Sequence, residues 1–232
     1  MRDPVMRWRD ESTIRIGRSI VSPTTLPAMP EPITAITVYC GSALGRQAGY
    51  EACAREVGRE LARRGLTLVY GGGGIGLMGT VSRSAKDAGG TVVGIITEQF
   101  LKLEQGWQGC DELIVVPGMR ERKALLESRA QAFLVLPGGI GTYEEFFETF
   151  VGLIIGRHPA PIGLLDVDGY FDPLCQLLDH AVEEGFARPA ARSLVLRDTD
   201  AVRLIDRMMR LEENLPDPRE MLPMHGDRER RG

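Results

Sequence analysis

Between residues 33 and 211 the hydrophobic pattern switches period repeatedly, and each switch marks a new element. Short solid apolar runs read as strands: Ile33–Tyr39, Leu66–Tyr70, Thr91–Ile96, Leu113–Val116, Phe133–Leu136, Ile162–Leu165 and Leu194–Leu196. Between them, apolar residues recur at the spacing of one helical face. Tyr50, Cys53, Ala54, Val57 and Leu61 make one such face. A second helix follows Gly71–Gly74 and runs to Ala88, and a third spans about Met119 to Ala130. A fourth opens at Thr142 and carries Phe146, Phe147, Phe150, Val151 and Ile154, and Phe171–Glu184 and Ala201–Leu211 complete the set. Strands that are apolar on both faces and separated by helices predict an α/β fold. The expected architecture is a Rossmann-like, doubly wound parallel sheet with helices on both faces, in a single domain.

The ends break this pattern. Residues 1–31 carry Pro4, Pro23, Pro27 and Pro30 among Ser, Thr and mixed charge, and read as a flexible N-terminal arm. Residues 32–213 form the folded domain. Residues 214–232, with Pro216, Pro218, Pro223 and the charged Arg228–Arg231, read as a tail.

Composition narrows the choice of partner. A chain of 232 residues with 43% hydrophobic content can bury one full core. Its net charge of −4 gives no basic field, which argues against nucleic acid as a partner. Cys40, Cys53, Cys110 and Cys175 are far apart and share no metal-ligand spacing with His158, His180 or His225. No metal site is expected, and the cysteines read as reduced thiols of a cytoplasmic protein. No apolar stretch approaches the ~20 residues needed to span a bilayer, and Met1–Asp10 is followed by no apolar region of a secretory signal.

In a doubly wound sheet ligands bind beyond the carboxyl ends of the strands, and three such ends carry glycine turns. Cys40-Gly41-Ser42 follows the first strand, Gly71–Gly79 the second, and Pro137-Gly-Gly-Ile-Gly-Thr142 the fifth. The last runs into a helix, whose N-terminal N–H groups favour an anion such as phosphate. Three bare turns on one edge imply several backbone approaches to a single ligand. Gly74-x-Gly76-x-x-Gly79 also has dinucleotide spacing, with Glu98 at the end of the next strand, so an NAD-dependent oxidoreductase is a rival reading. No Gly-Lys-Ser/Thr follows any of the loops, which excludes a P-loop ATPase.

Two charged features stand beside these loops. Arg120-Glu-Arg122-Lys123 places cations at the start of a helix, where the dipole opposes them by roughly 0.3–1 kcal/mol each. The cluster is either a solvated surface or a grip on an anionic ligand. Glu145 is either catalytic or the partner of Thr142 in a capping box, Thr-x-x-Glu. Spacing alone does not choose.

Together these residues resemble the LONELY GUY family of cytokinin riboside 5′-monophosphate phosphoribohydrolases, whose members were often labelled lysine decarboxylases. The family signature Pro-Gly-Gly-x-Gly-Thr-x-x-Glu is matched by Pro137–Glu145, and Met119-x-x-Arg122-Lys123 matches its second motif. Cys40–Ser42, Tyr70–Gly79, Pro161–Tyr170 and Glu183–Phe186 are also similar, so the likeness covers about residues 34–210. The resemblance implies hydrolysis of the N-glycosidic bond of a nucleoside 5′-monophosphate, AMP or an N6-modified AMP, to free base and ribose 5-phosphate. It implies Arg122 and Glu145 as catalytic, with Lys123, Gly139, Ile140, Gly141, Thr142, Glu144 and Glu104 contacting substrate. Ser42 is expected beside the phosphate. No metal or organic cofactor is needed.

The sequence departs from the family pattern at Arg120, where histidine is commonest, and at Val151, where threonine is frequent and Thr149 is the nearest hydroxyl. Residues 98–112 also differ. These departures leave the base open, with a CMP-type pyrimidine nucleotide as an alternative substrate and a non-catalytic nucleotide sensor as an alternative role. The apolar helix Phe146–Ile155 suggests a homodimer, with higher assembly open.

Overall fold

The computed structural model describes residues 32–103 and 106–211. The expectations for residues 1–31, for 214–232 and for Glu104 lie outside the described residues. The elements run β1 (Ala35–Tyr39), α1 (Ala48–Arg63), β2 (Thr67–Tyr70), α2 (Gly76–Asp87), β3 (Val92–Thr97), α3 (Glu98–Leu103) and β4 (Glu112–Val116). They continue with α4 (Met119–Ser128), β5 (Ala132–Val135), α5 (Ile140–Ile154), β6 (Ile162–Leu165), α6 (Asp172–Glu183), α7 (Pro189–Ser193), β7 (Val195–Asp198) and α8 (Ala201–Leu211). Two short helices, α3 and α7, go beyond the elements read from periodicity. Neither is long enough for a face to repeat.

All seven strands join one sheet in the order β4-β3-β2-β1-β5-β6-β7, each pair parallel. The doubly wound architecture is therefore as the alternation of elements predicts. The chain winds outward from β1 to β4, then crosses back to lay β5 on the other side of β1. At that reversal the loops leaving β1 and β5 diverge and open a crevice.

Side-chain alternation along the strands feeds two cores. Ile36 and Val38 pack with Val57 and Leu61 of α1, Leu77 and Val81 of α2, and Leu204 and Ile205 of α8. Ala35 and Tyr39 face the other way, with Leu126 of α4, Phe146 and Phe150 of α5, and Leu174 of α6. Thr37 shares that second face, and its buried hydroxyl donates to the Leu126 carbonyl at 2.7 Å, tying α4 to the central strand. Helices α4 and α5, which carry the charged candidates, are thus fixed on one face of the sheet.

Candidate active site

The β1 and β5 loops are laced together at the crevice. Leu136 N–H donates to the Tyr39 carbonyl at 2.9 Å, and Gly41 N–H to the Pro137 carbonyl at 3.1 Å. The Gly41 carbonyl in turn accepts from Leu77 and Met78 N–H groups, at 3.0 and 3.3 Å. A Cβ on Gly76, whose φ is +59°, would sit 2.2 Å from the Ser42 carbonyl, and one on Gly79 would sit 2.3 Å from the Gly74 carbonyl. The second glycine loop is therefore a seat for the first. Two N–H groups at the start of α2, which a pyrophosphate would need, are spent on Gly41. The dinucleotide spacing has a packing cause here, and the oxidoreductase reading loses its footing.

The third loop differs. Gly139 is the N-cap of α5, in extended conformation, and no side chain caps the helix. The helix opens at Ile140, two residues before the expected Thr142. Thr142 accordingly sits within the first turn, buried, with its hydroxyl where a Cβ on Gly138 would fall, 2.1 Å away. Thr142 is therefore not the N-cap, and the expected Thr142–Glu145 capping box is not how α5 opens. Gly139 and Gly141 have no neighbour within 4 Å of a built Cβ. Among the described residues no contact demands glycine there, and the open space leaves room for a ligand to approach the backbone.

A cleft of about 270 Å³ lies in front of this turn. Cys40, Gly41 and Ser42 line one side and Gly139–Thr142, Glu144 and Glu145 another, with Met78, Phe100, Met119 and Arg122 closing it. The sequence reading gave no site role to Cys40, Gly41, Met78, Phe100 or Met119. Phe100 comes from α3, in the stretch that departs from the family pattern, and Met119 and Cys40 sat beside singled-out motif residues, which was the available signal.

Arg122 is buried at 7% exposure, unusual for a guanidinium. Tyr70 pairs with Gly94 as the last aligned residues of β2 and β3, so the carbonyls just beyond have lost their ladder partners. Arg122 takes both: Nε donates to Ile95 O at 3.1 Å and Nη2 to Gly71 O at 3.2 Å. The remaining nitrogen, Nη1, lies 3.4 Å from Glu145 Oε1. Two backbone carbonyls thus hold the fork rigidly and its free end holds the carboxylate at the cleft. Desolvation of the cation is offset by three oxygen partners.

Lys123, one position on, points to the outer side of α5. Its Nζ pairs with Glu144 Oε1 at 2.5 Å and Glu148 Oε2 at 2.8 Å, and these carboxylates, Glu144 foremost, raise its pKa. Arg122 and Lys123 at the start of α4 are therefore matched by carboxylates of α5. Lys123 does not line the cleft, whereas its partner Glu144 does. Ser42 and Ile140 sit at the rim, both exposed, Ile140 at 84%. Arg120 is exposed. Val151 is half exposed and does not line the cleft, while Thr149 is buried against the Tyr39 hydroxyl at 3.1 Å, so neither replaces the missing threonine there.

The sequence relationships agree with this geometry. A family model described as "possible lysine decarboxylase" matches residues 78–208. The cytokinin riboside 5′-monophosphate phosphoribohydrolase LOG of Oryza sativa subsp. japonica is 45% identical over 182 residues, covering 78% of this chain and 74% of that protein. The chain belongs to the LOG family. A LOG-family phosphoribohydrolase of Rhodococcoides fascians is 46% identical over 175 residues, 75% of this chain and 88% of the relative. The fold reaches further than the family. A molybdenum cofactor carrier protein of Chlamydomonas reinhardtii superposes with a TM-score of 0.59 at 21% identity, covering 78% of this chain and 98% of that one.

Proposed function

We propose that this LOG-family protein hydrolyses the N-glycosidic bond of a purine nucleoside 5′-monophosphate, of adenine or cytokinin type, to free base and ribose 5-phosphate. One observation carries the reading: the Glu145 carboxylate is clamped by buried Arg122 and shares a helix with a bare N-terminal turn. Glu145 stands five positions beyond Ile140, about 7.5 Å along the axis, a span on the scale of a ribose 5-phosphate. The phosphate rests on Gly139–Thr142 and Ser42, which sets the sugar beside Glu145. The names of the relatives, which are phosphoribohydrolases of cytokinin riboside 5′-monophosphate, support the same bond.

As the C1′–N bond lengthens, positive charge develops on the ribose, and the Glu145 carboxylate stabilises it more than it stabilises the ground state. Glu145 also orients the attacking water, whose hydroxyl joins C1′. Arg122 keeps the carboxylate in place. A guanidinium does not give up its proton in proteins, so the departing base takes its proton from water. Phosphate binding at the helix start positions the bond for attack. The scheme uses no metal and no organic cofactor.

The test is incubation with N6-isopentenyl-AMP, AMP, GMP and CMP, with released bases separated by chromatography. Release of adenine or N6-isopentenyladenine is expected. Release from CMP alone makes it a pyrimidine nucleotide enzyme, and binding with no base released makes it a sensor.

We also propose a homodimer. Phe146, Phe150 and Leu153 turn α5 onto the sheet, yet Val151 and the C-cap residue Ile155 stay half exposed, a face suited to a second copy. A monomer in sedimentation at micromolar concentration rules this out. Cys40, Cys53, Cys110 and Cys175, all among the described residues, are thiols rather than disulfides, in keeping with a reducing, cytoplasmic setting. Among the described residues no helix is long and apolar enough to cross a membrane.

A further inference from the structure

We infer that Tyr170 is a positioning residue for the anion-binding turn, its hydroxyl fixing the direction in which the Gly138–Gly139 peptide faces. The inference rests on the nucleotide site proposed above. A peptide between two glycines has no Cβ on either side and turns over at little steric cost. Gly138 is pinned by its neighbours, with Thr142 Oγ1 and Gly41 N within 2.8 Å of a built Cβ, but among the described residues nothing lies within 4 Å of a Cβ built on Gly139. Packing therefore leaves the plane of this peptide loose on its cleft side.

Tyr170 supplies the missing restraint, because its hydroxyl donates to the Gly138 carbonyl. All described peptides are trans, and in a trans peptide the carbonyl and the following N–H point in opposite directions. Drawing the Gly138 carbonyl toward Tyr170 turns the Gly139 N–H away from it. Tyr170 lies behind the turn, in a hollow of about 160 Å³ shared with Tyr50, Leu77 and Pro137. Gly139 lines both that hollow and the catalytic cleft. Away from Tyr170 is toward the cleft, where the N–H serves as a phosphate donor.

The ring itself is held firmly. Asp168 and Gly169, with φ of +50° and +75°, turn the chain after β6 so that Tyr170 faces back to the β5 loop. Its ring meets Tyr50 and Phe171 edge-on, with centroids 5.5 and 5.1 Å away. The buried Asp166 carboxylate accepts from Phe171 N–H at 2.9 Å and from Arg197 at 2.6 Å, fixing the base of the turn. The hydroxyl of a ring so placed is preorganised, and the orientation it imposes costs nothing further when phosphate arrives.

Tyr170→Phe keeps the ring contacts and removes the hydroxyl from both the Gly138 carbonyl and the Tyr143 hydroxyl; Tyr143→Phe, which removes the second contact alone, is the control expected to leave ribose 5-phosphate binding unchanged. Calorimetric titration with ribose 5-phosphate is expected to show binding weakened about five- to tenfold, the worth of one such bond, with adenosine binding unchanged. KM for AMP rises in step and kcat changes by less than about twofold. Unchanged ribose 5-phosphate binding, or equal weakening of both probes, overturns the inference, the second because it signals general loosening. A measurement on the wild-type protein guards against a poorly folded variant: in 15N NMR the Gly139 amide should shift on titration with inorganic phosphate. A silent Gly139 amide in a protein that turns over AMP refutes the inference alone. A responsive amide in a protein that releases base from no nucleotide refutes the hydrolase reading and upholds the role of Tyr170.

Discussion

Arg122 and Gly71 are complementary to the atom: Nη2 of Arg122 donates to the Gly71 carbonyl and lies 2.3 Å from where a Cβ on residue 71 would stand. Only glycine at the end of β2 lets the guanidinium reach its place. Gly71→Ala is therefore expected to push the fork off both carbonyls and let Glu145 drift. Misplacement on the scale of an ångström lowers kcat by about 100-fold. Nucleotide hydrolysis assayed beside the melting temperature checks this, and an alanine variant with full activity would show that Arg122 tolerates displacement.

Glu145→Gln separates catalysis from capping. Gly139 and not Thr142 opens α5, so the expected Thr142–Glu145 box is not what starts the helix. Loss of the charge should lower base release by about 10²- to 10³-fold, while the melting temperature falls only as far as weakening of the Arg122 pair accounts for. A stability loss with activity retained would return Glu145 to a structural role.

Lys123 and Arg122 are adjacent in sequence but should behave differently on truncation. Lys123 is tied to two partly exposed carboxylates of α5, an arrangement worth about 0.2–1 kcal/mol after solvent screening. Lys123→Ala should cost that much stability and leave measurable turnover. Arg122→Ala, and equally Arg122→Lys, should be inactive, because an ammonium cannot span Ile95 O, Gly71 O and Glu145 at once. Steady-state kinetics on the three variants checks the ranking.

His158 gives the fold an acid-sensitive point. Ala160 N–H donates to its Nδ1 at 3.2 Å, so the ring proton sits on Nε2 and donates to the Thr149 carbonyl at 3.1 Å. Burial, foremost, lowers its pKa below 6.5, opposed by Glu127 and assisted by Arg157. The unfolded chain then binds the proton more readily than the native one. Stability is full above about pH 6.5 and is lost as pH falls from there through the lower native value. The melting temperature should drop between pH 7 and pH 5, with a shallower slope in His158→Gln; identical slopes would remove His158 from the account.

Much of the fold could be read from the chain because parallel strands buried on both faces leave unbroken apolar runs. Ile36 and Val38 against Ala35 and Tyr39 needed no structure to be placed on opposite faces. The start of α5 was harder: Thr142 followed by Glu145 satisfies a local capping rule, yet an equally local alternative, Gly139 as the N-cap, prevails because Thr142 packs against Gly138. Two short helices, α3 and α7, left no periodic trace, and with α3 went Phe100 on the wall of the cleft.

The sequence by itself determined the alternation of strands and helices, the three glycine turns at strand ends, and the charged residues beside them. Those are local matters, set by period, backbone freedom and charge. Only the tertiary structure decided what each turn does. The strand order brings Gly41 against the start of α2, which converts the second glycine loop into packing, and leaves Gly139 and Gly141 open to a ligand. It also carries Arg122 across the ends of β2 and β3 to meet Glu145, 23 residues away in the chain. That meeting depends on where two strands part and lose their hydrogen-bond partners, which no spacing along the chain records.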